Sequence, residues 1–369
     1  MRKFLKNIFI FIFGMIVPFI FLEIFLRVFN PIPTRIKGDK IILPVNKKHV
    51  IENITIPGID KTITQTINSL GFRGPEKPVN FSNYLSIITV GGSTTECAYQ
   101  SDDKTWSFLL EKKLKKVFRN IWLNNAGLDG HSTFGHQILM DDYLLKIKPK
   151  IVMFLIGVND VGRDDLNNYD KDNIKNIYAS FSNFFTKNSE VINLIVNMYR
   201  GQKAIEKGIS HCQYNINTMD SLTLAEDVFK KALARHNNYI EQYKKRLIKL
   251  IHTAKLNGIE PILITEPKVW GIGIDTLTGI NLENRKLSDN YNSKLDWQIL
   301  ELYNHTTKKV GLETQTIVID LAEEMPKSSR YYYDALHYTN AGAERVSEII
   351  FNDLVDHFKT KYKSFLITQ

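Results

Sequence analysis

The chain has 369 residues, of which 24% are charged and 43% hydrophobic, an ordinary balance for one large globular domain with additions. Two cysteines, Cys97 and Cys212, exclude a disulfide scaffold and leave one bridge open at most. The net charge of +9 suits an acidic partner such as an anionic lipid or glycan, and without zinc-ligand spacing, an RNP-type motif or an array of basic helices, nucleic acid is not expected.

Arg2, Lys3 and Lys6 precede an apolar run over residues 8–22, which Glu23 interrupts and which then resumes to Phe29. Counted through Phe29, the run reaches the ~20 residues a bilayer span needs. Glu23 and Arg27 lie one helical turn apart and can pair. No small-x-small cleavage site follows, so residues 1–29 read as an uncleaved, single-pass transmembrane signal anchor. Pro31 and Pro33 end that helix. Such an anchor most simply leaves the following domain outside the cytoplasm, in a periplasm or at the cell surface. Residues 30–83 read as a linker and β-rich extension, with a strand over 62–67 and a turn-rich packed connector over 68–74.

From residue 84 onward the pattern alternates. A buried strand over 87–90 runs into Gly91 and Gly92, and Ser93 follows where strand gives way to helix. Further strands are predicted over 121–123, 151–156, 261–265 and 316–321. Helices are predicted over 106–117, 137–146, 225–256, 290–310 and 342–358. Residues 163–222 look like an inserted lid, and 361–369 a short tail. Alternation of this kind implies an α/β fold, a doubly wound and mostly parallel sheet with helices on both faces. In such a sheet the strand ends at Gly91, Gly127 and Gly157 open onto one edge, where ligands bind.

Separated stretches meet at that edge. Ser93 is a candidate nucleophile. His337 is a candidate base, and Asp334, three residues earlier, can orient its ring. Amide donors from Ser93, Gly127 and Asn159 would form an oxyanion hole, each donor typically worth ~3 kcal/mol of transition-state stabilisation.

These stretches resemble the blocks of the SGNH hydrolases, the GDSL-type esterase and lipase superfamily. Gly91-Gly92-Ser93-Thr94-Thr95 resembles the first block, with Gly92 where aspartate is usual. Asn125-Ala126-Gly127 with Gly130, Gly157-Val158-Asn159-Asp160 and Asp334-x-x-His337 resemble the others, and together they span about residues 84–358. The amino-terminal apolar segment together with residues 68–74 also resembles membrane-tethered bacterial members. The resemblance implies a flavodoxin-like three-layer domain over residues 84–360 and attack of Ser93 on an ester carbonyl, with His337 as base and Asp334 as its orienting acid. An acyl-serine follows, resolved by water or by another alcohol. The substrate expected is an O-acyl or O-acetyl group of a cell-surface glycan or lipid. Two alternatives stay open: an O-acyltransferase using the same site, and a tethered binding module without turnover.

Other residues carry weaker signals. His131, Trp270 and Tyr333 are candidates for touching substrate. His136 lies close to His131 in sequence, Asp160 reads as structural, and Asp320 as a cap. Cys97 reads as a small buried residue. No metal-ligand cluster or phosphate loop is visible, and neither metal nor cofactor is expected.

Overall fold

The structure, a computed structural model, describes residues 2–29, 36–37, 40–53, 55–163, 184–206 and 216–367. It divides into two compact units, one of residues 1–44 and 166–210, the other of residues 45–165 and 211–369.

The larger unit is built on five parallel strands: β1 (Leu85–Gly91), β2 (Ile121–Asn125), β3 (Ile151–Leu155), β4 (Glu260–Ile264) and β5 (Ile317–Ile319). Their order across the sheet is β2-β1-β3-β4-β5. That is a doubly wound order whose switch point lies between β1 and β3. Register aligns the strand ends: Gly91 pairs with Leu155, Leu155 with Ile264, and Ile264 with Ile319.

Successive side chains of each strand point to opposite faces, and here both faces are covered. Leu85, Ile87, Met153 and Ile262 join one apolar core with Trp106 and Leu110 of α2 (Trp106–Leu114) and Val346 and Ile350 of α6 (Asn340–Lys361). Their neighbours Ile88, Val90, Val152 and Leu263 are equally buried on the other side. There α4 (Asn237–Leu256) and α5 (Ser293–Thr314) pack on each other and against β4. The predicted helix over 225–256 is in fact two, Glu226–Ala234 and α4. The chain turns at His236, whose ring packs on Tyr303 of α5, and amphipathic spacing that continues through the turn hides the break. The segment expected over 137–146 starts earlier, as α3 (Thr133–Leu139), and widens into a π turn over Met140–Leu144.

In the smaller unit the apolar run forms one helix, Arg2–Phe29, with Pro18 inside it. Phe11, Phe13, Ile20, Phe21 and Phe25 are exposed on it. The expected transmembrane span is not supported: among the described residues no helix is long and apolar enough to cross a membrane. The Glu23–Arg27 pair does form, at 2.8 Å. Glu23 also does a second job. Its carboxylate accepts from Ser189 Oγ at 2.8 Å and from the amides of Glu190 and Val191 at 2.9 and 3.1 Å. It thereby caps the helix Glu190–Glu206, a suitable place for a negative charge. That helix belongs to the stretch read as an irregular lid over 163–222. Of its described part, residues 184–206 are mostly helical and share a unit with the amino-terminal helix, whereas residues 216–222 belong to the larger unit. Residues 164–183 and 207–215, with Cys212, lie outside the described residues, and Cys97 is a free thiol.

Candidate active site

Ser93 opens a one-turn helix, α1 (Ser93–Glu96), at the carboxyl edge of the sheet. Cys97 closes it in the left-handed region, at φ 53°. Thr95 and Glu96 donate their amides back to the Gly92 carbonyl at 3.1 and 2.9 Å. Its far end is held by Arg73, whose guanidinium donates to the carbonyls of Glu96, Cys97 and Gln100 at 2.8–2.9 Å and pairs with Asp102 at 2.9 Å. Arg73 lies in the turn-rich stretch expected to be a packed connector. It is that, and it also fixes the helix that carries Ser93.

His337 Nε2 lies 2.8 Å from Ser93 Oγ, and His337 Nδ1 lies 2.6 Å from Asp334 Oδ2. The other oxygen of Asp334 accepts from the amides of Leu336 and His337 at 2.8 and 2.7 Å. One carboxylate therefore fixes both its own turn and the imidazole. All three predicted relay residues come together, with Ser93 and Asp334 each 6% exposed. Tyr333 stacks on the His337 ring at 5.6 Å and 12°, and Tyr99 meets Tyr333 edge-on. Beside Ser93 is a cavity of about 10 Å³ whose lining includes Cys97, Tyr99, Tyr333 and His337. It has room for about one water molecule.

The oxyanion-hole expectations fare unequally. Asn159 comes close, since a Cβ on Gly92 would collide with its Nδ2. The Gly127 amide is turned elsewhere and donates to Asn125 Oδ1 at 2.9 Å. Gly127 supplies close approach instead: a Cβ there would run into the backbone of Thr95 and Glu96. Asn125, which the sequence offers only as part of the block Asn125-Ala126-Gly127, also donates its side-chain amide to the Thr95 carbonyl, tying the Gly127 loop to α1.

Of the weaker candidates, Tyr333 reaches the site. The His131 carbonyl comes within 3.5 Å of a Cβ placed on Gly92, and its ring packs against Gly135. Trp270 does not line the cleft, because it is wholly buried in the core cluster. His136 is buried too, and burial drives its pKa down to about 4. Asp160 is structural as expected: it accepts from the Thr133 hydroxyl at 2.6 Å and pairs with Arg246 at 3.0 Å. Asp320 accepts from Thr265 Oγ1 at 3.0 Å and pairs with Lys308. Burial pushes the Cys97 thiol up to about 12, which leaves it inert. No group of acid, histidine and cysteine side chains among the described residues could hold a metal ion.

A doubly wound sheet carrying a serine–histidine–aspartate relay at its carboxyl edge defines an α/β serine hydrolase. The sequence pattern of the GDSL-like lipase/acylhydrolase family matches residues 89–345, and the chain belongs to that family of ester-hydrolysing enzymes. Among solved structures it is similar to the acetylxylan esterase Axe2 of Geobacillus stearothermophilus, at 14% identity and a TM-score of 0.41, covering 73% of this chain and 93% of that one. It is also similar to a putative lipolytic protein of the G-D-S-L family from Desulfitobacterium hafniense, at 12% identity and a TM-score of 0.40, covering 73% and 99%. No curated protein matches the chain.

Proposed function

We propose that this enzyme hydrolyses short O-acyl esters through an acyl-serine on Ser93. The observation that carries the reading is the unbroken relay from Asp334 through His337 to Ser93, at 2.6 and 2.8 Å. His337 takes the Ser93 proton as Oγ bonds to the ester carbonyl, and Asp334 holds the tautomer that presents Nε2 to the serine. The tetrahedral oxyanion is met by the Ser93 amide and by Asn159 Nδ2. Collapse expels the alcohol, which takes its proton from His337. Water, deprotonated by the same imidazole, then releases the acid. The small cavity beside Ser93, with room for about one water molecule, supports an acyl group no larger than acetyl, whose methyl group would fill that space. The alcohol side of the ester is read as a cell-surface glycan or lipid, in keeping with the net charge of +9.

The test is release of p-nitrophenol from p-nitrophenyl acetate by the full chain, wild type beside Ser93→Ala and His337→Ala. Both variants should lose at least ~10³-fold in kcat while circular dichroism stays unchanged. Equal rates in all three would overturn the assignment.

Attachment to a membrane through the amino-terminal helix, with the catalytic domain outside the cytoplasm, is a separate part of the proposal. Its support is the series of apolar side chains from Phe4 to Phe29 that stand exposed to solvent, an unfavourable state that a lipid phase would relieve. Cell fractionation checks it: the full chain should sediment with membranes, and a chain lacking residues 1–29 should not. Full-length protein in the soluble fraction would end this part.

A further inference from the structure

The relay leaves one buried carboxyl at the same edge without a role. Glu266 lies two residues past the end of β4 and is 1% exposed. Asn304 of α5 clamps its backbone from both sides, accepting from the Glu266 amide at 2.9 Å and donating to its carbonyl at 3.0 Å. Its side chain reaches α1, where Oε1 accepts from the Thr94 hydroxyl at 2.6 Å. Thr94 is the residue after Ser93. The Thr94 carbonyl is itself fixed by Trp106 Nε1 at 3.0 Å. The turn that presents the nucleophile is therefore fastened from one side by a buried indole and from the other by a buried carboxyl.

A carboxyl is an expensive choice for a fastener, since burying its charge without a paired cation is strongly unfavourable. Glutamine would accept the same hydrogen bond without that cost. What glutamine lacks is charge. The groups facing Glu266 come from each packed segment. His337 and Lys268 pull its titration down, Asp160 acts with burial to push it up, and Tyr243, Tyr332 and Tyr338 also sense its charge. On α5, Glu301 accepts from the same Asn304 amide that holds the Glu266 carbonyl. Lys268 is already committed to Asp296 at 2.6 Å. The hydroxyls of Tyr332 and Tyr338 are buried without a hydrogen-bond partner among the described residues.

We infer that Glu266 is a positioning residue for the nucleophile: it holds Thr94, and through it Ser93, in register with His337, and its negative charge acts as a second anion, after Asp334, for the imidazolium that forms during catalysis. The inference rests on the reading of Ser93 as nucleophile. The active form then has Glu266 ionised and His337 neutral. Burial raises the Glu266 carboxyl to about 7, against the pull of the Thr94 hydrogen bond and the His337 charge, so this second ionisation falls in the working pH range.

The experiment is the pH dependence of kcat/KM for p-nitrophenyl acetate with the full chain, for wild type, Glu266→Gln, Thr94→Val and Ser93→Ala. Wild type should lose activity on the acid side with a logarithmic slope that steepens beyond one over the first one to two decades of loss, where His337 and Glu266 both take up a proton. Glu266→Gln should show a slope of about one, its midpoint displaced to lower pH because the imidazole has lost an anion. Its kcat should fall roughly ten- to hundredfold with KM little changed. Thr94→Val removes the bond that favours the carboxylate, so its acid limb should move to higher pH. A Glu266→Gln profile that superimposes on wild type would overturn the inference. So would a Thr94→Val acid limb that does not move, which carries the test by itself if Glu266→Gln does not fold. Activity surviving in Ser93→Ala would instead mean that the nucleophile assignment is wrong.

Discussion

Strand β4 carries a glutamate at each end, and the two behave in opposite ways. Glu260 begins the strand at the amino edge of the sheet; Glu266 follows it at the carboxyl edge. Burial raises both, but at Glu260 the hydrogen bonds from Lys361, Tyr362 and His357 outweigh it and hold the carboxyl below the ordinary value of 4.5. At Glu266 a single hydroxyl and a few distant charges do not, and the group stays raised to about 7. The amino edge is thus finished like a protein surface, with its acid supplied with partners. The carboxyl edge buries many polar groups, Thr94 and Thr95, Asn125, His136, Asp160, Glu266 and Asp334 among them, and does not compensate all of them: Thr95 Oγ1 has no hydrogen-bond partner among the described residues, and the Glu266 carboxyl has one hydroxyl. Parallel strands explain why. Their loops and helix starts at the carboxyl ends converge on one crevice, and the price in stability is tolerated only where chemistry needs those groups. If this division is real, changes at the carboxyl edge should act on rate, and changes at the amino edge on stability.

The largest effect after loss of the relay itself is expected at Gly92, which the family pattern normally fills with aspartate. Gly92 has a negative φ of −84°, so the left-handed region is not what calls for glycine there, and the tight constraint is space. The space is occupied by Asn159 Nδ2. Gly92→Ala should displace that donor and lower kcat by ~10²–10³, as removal of one oxyanion donor does. The melting temperature should hold within a few degrees. In an Asn159→Ala background the same substitution should have little further effect, because the two act on one donor. Wild-type kcat in Gly92→Ala would show that Asn159 is not an oxyanion donor.

How much of this edge was legible in the sequence follows the same division. Ser93, Asn159, Asp334 and His337 were readable because each sits at a strand end or helix start and carries a chemistry that spacing alone makes plausible. The sheet was readable because 87–90 and 151–156 are unbroken apolar runs. Glu266 obeys the same strand-end rule and is still not legible, because nothing in Thr265-Glu266-Pro267 says that the carboxyl turns inward to Thr94. The role given to Gly127 failed for a related reason: a glycine in a loop declares close approach, but not where its amide points, and here Asn125 takes it. Trp270 misled because an aromatic after a strand reads alike whether it lines a cleft or fills the core. The capping of the helix Glu190–Glu206 by Glu23 joins residues 166 positions apart and left no local trace.

The smallest effect, and the sharpest check on the comparison, is expected from Glu260→Gln. The substitution keeps the shape and removes the charge that Lys361 and His357 meet at 2.8 and 2.9 Å. Those partners are part-exposed, so water and salt screen the loss, which should be about 1 kcal/mol in denaturant unfolding at pH 7. The sign with pH follows from the direction of the shift. A carboxyl held below 4.5 in the folded state contributes stability that is present above that value and disappears as pH falls through its folded pKa. The wild-type and Glu260→Gln midpoints should therefore differ at pH 7 and converge in acid, with kcat unchanged. Glu266→Gln should behave in the opposite sense. A carboxyl raised to about 7 weighs on the fold increasingly as pH climbs from 4.5 through 7, so that variant should gain stability over wild type toward pH 8 while losing rate. Two glutamates at opposite ends of one strand would then separate the two properties. If Glu260→Gln loses rate as Glu266→Gln does, the sheet transmits strain from one edge to the other, and the division between a stability edge and a chemistry edge fails.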